Sequence, residues 1–144
     1  MSKIVELTID RITDGYVIDH IRAGNGINIY RHLKLDEQPV NAALIQHVKS
    51  ARLGKKDIIK IQGQMALNAD MLGYLDPNAT LIHINGGSIV SKQRLEPPAT
   101  LTNIIECKNP RCITGHEKDV SQVFELKNKT ALLYRCLYCE HDHV

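Results

Sequence analysis

Cys107-Lys108-Asn109-Pro110-Arg111-Cys112, followed after 23 intervening residues by Cys136-Leu137-Tyr138-Cys139, is the stretch that decides how this chain folds. Its C-x4-C and C-x2-C spacings describe two knuckles, each holding two sulfurs at one end of a tetrahedron, and the interval between them is long enough for a β-hairpin. Zinc is borderline-soft and binds four thiolates tightly. Two disulfides are the rival arrangement, in any of three connectivities. The opening MSKIVELTID is charged and alternating, without the apolar core of a signal peptide, so the chain is expected in a reducing cytoplasm where disulfides are disfavoured. A rubredoxin-like iron centre usually has two matched C-x2-C knuckles, and here one is longer. The residues therefore favour one structural Zn2+ on Cys107, Cys112, Cys136 and Cys139. A catalytic zinc keeps an open coordination position, which four thiolates close.

Outward from the cysteines, composition limits the partners. The net charge of +2 is unevenly placed: residues 1–98 carry 12 Lys/Arg against 10 Asp/Glu, and residues 99–144 carry 6 against 6. A zinc ribbon that binds nucleic acid needs a basic face, because phosphate neutralisation supplies most of its affinity. The neutral segment argues against DNA or RNA. No apolar run approaches the roughly 20 residues that span a bilayer. A segment of about 45 residues with few apolar side chains needs a metal in place of a core.

Pro97-Pro98 cannot continue a sheet and reads as an extended linker over 96–100, dividing the chain into domains 1–97 and 98–144. Upstream, Tyr16 to Ile21 is a β-branched strand after the Thr13-Asp14-Gly15 turn, and Ile27 to Leu35 reads as a short helix. Residues 40–48 fit either period and are taken as a strand. Lys56 to Ile61 is a strand ended by Gly63, and Met65 to Leu75 has helical spacing up to Asp76-Pro77-Asn78. Thr80–Ile84 and Ser88–Lys92 are strands joined through Asn85-Gly86-Gly87, a tight-hairpin signal. The order β-α-β-β-α-β plus one strand predicts an α+β fold, a ferredoxin-like α/β sandwich. A small all-β zinc-ribbon domain follows, built on a hairpin from Gln122–Lys127 and Ala131–Cys136. His141 and His143 read as a frayed, solvated tail. No nucleophile–base pair or paired carboxylates suggest catalysis.

Three segments together resemble the regulatory chain of aspartate carbamoyltransferase, over nearly the whole length: Gly15-Tyr16-Val17-Ile18-Asp19-His20-Ile21, Gly54-Lys55-Lys56-Asp57-Ile58-Ile59-Lys60-Ile61, and the two cysteine knuckles. The resemblance implies a non-catalytic subunit of pyrimidine biosynthesis. It also implies a homodimer formed through the N-terminal domain, with the zinc domain docking on catalytic chains so that dimers bridge two trimers into a dodecamer. CTP and ATP are the implied effectors. On matched positions, Lys60, His20 and Lys92 supply heads for a triphosphate and ribose, and Asp19 accepts from ribose hydroxyls. Ile9, Asp10, Arg11 and Ile12 present backbone groups to the base, and Ile84 and Ile89 are apolar walls. Asn109, Arg111, Tyr138 and Glu140 are the implied contacts with the catalytic chain.

The bland readings are a snorkelling Lys60, a surface Asp19–His20 pair, and a solvated loop for the basic run Lys49, Arg52, Lys55 and Lys56. Ile82 stands where relatives carry an Asn that contacts the nucleotide, so a base-recognition contact is lost or replaced. A zinc-ribbon nucleic-acid-binding protein, and a structural bridge with a degenerate effector site, are the alternative functions.

Overall fold

The computed structural model describes residues 12–144, so Ile9, Asp10 and Arg11 lie outside the described residues. The chain divides into two compact units, Met1–Glu96 and Pro97–Val144.

In the first unit, β1 (Gly15–Arg22) is followed by α1 (Gly26–His32), β2 (Asn41–Ser50), β3 (Gly54–Gln62), α2 (Ala69–Leu75), β4 (Thr80–Asn85) and β5 (Ser88–Arg94). The strands form one antiparallel sheet in the order β2-β3-β1-β4-β5. This is the ferredoxin-like order with β5 added at an edge. Alternation along the strands decides what each face does. Ile18, Ile59 and Ile61 turn to one face, fully buried, and meet Ile29 and Leu33 of the α1 segment and Leu72 of α2. Burying side chains of this size contributes about 1.5–3 kcal/mol each. The opposite face carries Val17, Asp19, Lys60, Ile82 and Ile84, none of which joins that core.

Buried Asp57 fixes the loops at one end of the sheet. Its Oδ2 accepts the backbone N–H groups of Gly24 (3.0 Å) and Gly26 (2.9 Å), and its Oδ1 accepts that of His47 (3.0 Å). A Cβ at position 26 would meet Leu44 and Asp57 at 2.7–2.8 Å, so only glycine lets α1 start against the sheet. The β4–β5 loop is a two-residue turn in which Gly86 (φ +61) and Gly87 (φ +78) both take the left-handed conformation that a type I′ turn requires.

Where the apolar spacing predicts a helix from Met65, α2 begins at Ala69. Asn68 accepts from the N–H groups of Asp70 (3.0 Å) and Met71 (3.2 Å), which caps the helix and excludes the preceding turn. Met65 and Leu67 still pack on the core from irregular backbone, so their spacing reports burial and not helix.

The second unit is a four-stranded antiparallel sheet, β6 (Thr100–Thr102), β7 (Val123–Asn128), β8 (Leu133–Cys136) and β9 (Asp142–His143), in chain order. Leu101, Phe124 and Tyr134 are its fully buried large side chains, and the Tyr134 hydroxyl donates to the Pro98 carbonyl at 2.7 Å. Two expectations change here. The linker stops short of Thr100, which pairs with Glu125. The C-terminal residues are not a frayed tail: Tyr134 pairs with His143 and Arg135 with Asp142, and the His143 ring packs edge-on to Phe124 at 6.0 Å. The exposed Arg135–Asp142 ion pair (2.7 Å) adds little by itself, so the backbone ladder and the Phe124 contact hold β9.

Candidate functional site

The four cysteines converge at one end of the second sheet. Backbone turns build the knuckles: the Cys112 N–H donates to the Asn109 carbonyl (3.0 Å), the Arg111 N–H to Asn109 Oδ1 (3.1 Å), and the Glu140 N–H to the Cys136 carbonyl (3.0 Å). Glu140 closes the second knuckle in the left-handed region, at φ +62. Cys107 and Cys139 sulfurs lie 3.5 Å apart, those of Cys112 and Cys136 3.7 Å apart, and all four fall within 4.8 Å of one another. A tetrahedron with metal–sulfur bonds near 2.3 Å has edges of about 3.8 Å. The donor set thus fits Zn2+, and the four cysteines stand as free thiols, with the two nearest pairs at 3.5 and 3.7 Å against a disulfide bond of about 2.05 Å.

Thiols this close cannot all ionise without a cation. Burial, with the neighbouring Cys139 and Cys136 sulfurs, pushes Cys107 up to about 12 against a backbone N–H from Asn109. Burial likewise raises Cys136. At Cys139 burial also acts upward, but the Asn109 side chain, the His141 backbone N–H and the Cys107 thiol bring it down to about 6. A dication among them favours the thiolate at every position. The outer contacts are in place: the backbone N–H groups of Cys139 and Tyr138 face Cys136, Thr114 Oγ1 donates to Cys112 Sγ at 3.1 Å, and Gln122 Oε1 accepts from the Cys107 N–H at 3.2 Å.

A second constellation occupies the first sheet, on the face away from its core. Register places Lys60 beside Val17, Val17 beside Ile82, and Ile82 beside Lys92, so these four residues form one row across β3, β1, β4 and β5. A parallel row joins Gly15, Ile84 and Ile89, and another joins Asp19, Thr80 and Arg94. The sequence-predicted Asp19, Lys60, Ile84, Ile89 and Lys92 therefore share one face. His20 joins them through a β-bulge in β1, where it takes φ +58 and its Nδ1 lies 3.2 Å from Thr80 Oγ1. Ile12 is buried beside the turn that leads into β1.

Charge on this face is mostly positive. Lys56 Nζ lies 2.9 Å from Asp19 Oδ1. Burial would raise Asp19, but the Lys56 bond and the His20 backbone N–H hold its carboxyl below the usual range. His20 is lowered, chiefly by burial, with Lys56, Arg52 and Lys92 adding to this and Asp19 opposing it. An anion with several charges finds here several donors and one carboxylate.

Residues 7–96 match the family described as aspartate carbamoyltransferase regulatory chain, allosteric domain, and residues 99–144 match its metal binding domain. The chain belongs to the aspartate carbamoyltransferase regulatory-chain family. Regulatory chains from Clostridium botulinum strain Hall (46% identical over 134 residues, 93% of this chain and 92% of the relative) and Clostridium tetani (45%, 93% and 94%) are similar throughout. The regulatory chain of Bifidobacterium longum is 37% identical over 94% of this chain and 98% of its own length. As a regulatory chain it is a non-catalytic subunit with an allosteric and a metal-binding domain, and membership implies association with an aspartate carbamoyltransferase catalytic chain. The nucleic-acid reading is not favoured. Among the described residues, no helix is long and apolar enough to cross a membrane.

Around the metal centre of this regulatory chain, Arg111, Tyr138 and Glu140 are exposed, whereas Asn109 is half-buried and tied to the knuckles. Sequence reasoning missed two neighbours, Ile113 (48% exposed) and Leu137 (51%). Each directly follows a buried ligand cysteine, Cys112 or Cys136, which is the signal that could have found them. It also missed Lys56, set aside as part of a solvated loop. Its place opposite Arg22 in the β1–β3 register, one residue before Asp57, brings it to Asp19.

Proposed function

We propose that this chain passes the CTP and ATP signal to catalytic trimers of aspartate carbamoyltransferase. Residues 1–97 bind the nucleotide and dimerise, and residues 98–144 dock on the catalytic chain, so that dimers bridge trimers into a cytoplasmic dodecamer. Lys60, Lys92 and His20 receive the triphosphate and ribose, with Lys56 beside them, and Asp19 accepts from the ribose. Ile84 and Ile89 flank the base, which meets the backbone of Ile9, Asp10, Arg11 and Ile12. Docking uses Arg111, Tyr138 and Glu140, joined by exposed Ile113 and Leu137, with Asn109 shaping the knuckle beneath. The observation that carries this reading is the gathering of Lys60, Lys92, Asp19 and His20 on one sheet face with no role in the core.

The mechanism is linkage. A nucleotide that binds one quaternary state better shifts the trimers toward that state, and differential affinity sets the size of the shift. Coupling of about 1–3 kcal/mol changes aspartate affinity roughly 5- to 150-fold. Ile82 favours a second reading in one respect: it sits inside the Lys60–Lys92 row and offers the base no hydrogen bond, so a structural bridge with weak base discrimination is the rival. Aspartate saturation of the assembled enzyme, with and without CTP and ATP, separates them. Opposite shifts by the two nucleotides support the leading reading, and assembly without any shift supports the bridge.

A further inference from the structure

The four metal-binding sulfurs are not equivalent. Cys112 and Cys136 are each 1% exposed, and Thr114 covers Cys112 with a hydroxyl donated to its sulfur. Cys107 and Cys139 are only half-buried, come from different knuckles, and place their sulfurs 3.5 Å apart. An oxidant arriving from solvent meets this pair first. We propose that Cys107 and Cys139 form a peroxide-sensitive latch, whose oxidation to a disulfide frees the metal and opens the docking unit. This rests on the four-cysteine zinc reading and not on the nucleotide site.

The chemistry balances with hydrogen peroxide as the only co-reactant. One of the two half-buried thiolates attacks a peroxide oxygen; an S–O bond forms, the O–O bond breaks, and hydroxide leaves to become water. The other thiolate attacks the resulting sulfenic sulfur, forming the S–S bond and expelling a second hydroxide. Two sulfurs are oxidised by one electron each, one peroxide is reduced to two waters, and solvent supplies two protons. Cys112 and Cys136 alone cannot close a tetrahedral shell, so Zn2+ leaves. With few buried side chains beyond Leu101, Phe124 and Tyr134, the unit then loses its main cross-link.

The test uses the full-length, zinc-loaded chain titrated with hydrogen peroxide. Released metal is read with a chromophoric zinc indicator, and cross-linked peptides are read by mass spectrometry without reduction. Trypsin cuts after Lys108 and Arg111, separating Cys107 from Cys112, and fragmentation between Cys136 and Cys139 assigns the second partner. The expected result is zinc release in step with a Cys107–Cys139 cross-link, reversed by dithiothreitol plus zinc. A Cys112–Cys136 or Cys136–Cys139 cross-link appearing first, or zinc release with no disulfide, overturns the proposal. Zinc retained through peroxide treatment overturns it too. A chain purified without zinc instead defeats the metal reading on which it stands.

Discussion

Replacing Lys60 with alanine tests the sheet-face site through an asymmetry between its two terminal lysines. Lys60 lies on interior strand β3 and is half-buried, while Lys92 lies on edge strand β5 and is exposed. They end the same row, three interstrand spacings apart, about 14 Å between backbones. Water and salt screen an exposed ammonium far more than a half-buried one. A charge-assisted bond from Lys60 to a phosphate is worth about 2 kcal/mol, so Lys60→Ala weakens CTP binding roughly 30-fold. An exposed contact contributes at most about 1 kcal/mol, which limits Lys92→Ala to roughly fivefold. Lys49→Ala, at an exposed position of β2, serves as control. Titration calorimetry on the zinc-loaded chain reads all three, with a thermal melt to show that each variant stays folded. Affinity within twofold of wild type for a folded Lys60→Ala chain, or a larger loss at Lys92 than at Lys60, refutes the placement of the phosphates.

Three other outcomes follow from the geometry. His20 is lowered in the free chain, chiefly by burial, so a bound polyanion raises it and binding takes up a proton; wild type gains more CTP affinity from pH 8 to pH 6 than His20→Gln does, and equal gains contradict this. Asp57→Ala takes the acceptor from one buried N–H group, that of Gly26, and from the part-buried N–H groups of Gly24 and His47, which water can reach, so urea unfolding of the first unit loses about 1–3 kcal/mol; no measurable loss means that water replaces the carboxylate at all three. Chelation, or Cys136→Ala, removes a metal worth on the order of 10 kcal/mol, and hydrogen exchange then shows β6–β9 unprotected while β1–β5 keep their protection. Unchanged exchange in the second unit shows that it folds without metal.

Much of this was legible because local chemistry and tertiary structure agree. The cysteine spacings dictate a four-sulfur cluster, and the sulfurs gather within 4.8 Å of one another. Asn85-Gly86-Gly87 demands a tight hairpin, and both glycines take positive φ. Failures arose where a pattern had two causes. Met65 and Leu67 are apolar because they cover the core, and only the Asn68 side chain, one polar residue in that run, reveals where the helix starts. Lys56 was hidden in a basic run whose members are alike in sequence; strand register alone distinguishes it from Lys55 by turning it toward Asp19. The pairing of His143 with Tyr134 is two residues long, too short for any periodicity to signal.

In the proposed function, this chain joins catalytic trimers through its zinc unit. The most direct measurement is the mass, by light scattering, of cognate catalytic trimers mixed with the zinc-loaded chain and with the chelator-treated chain. The expected result is a complex far heavier than a trimer with zinc present and free trimers after chelation. Trimers whose mass does not change on mixing with the zinc-loaded chain contradict it.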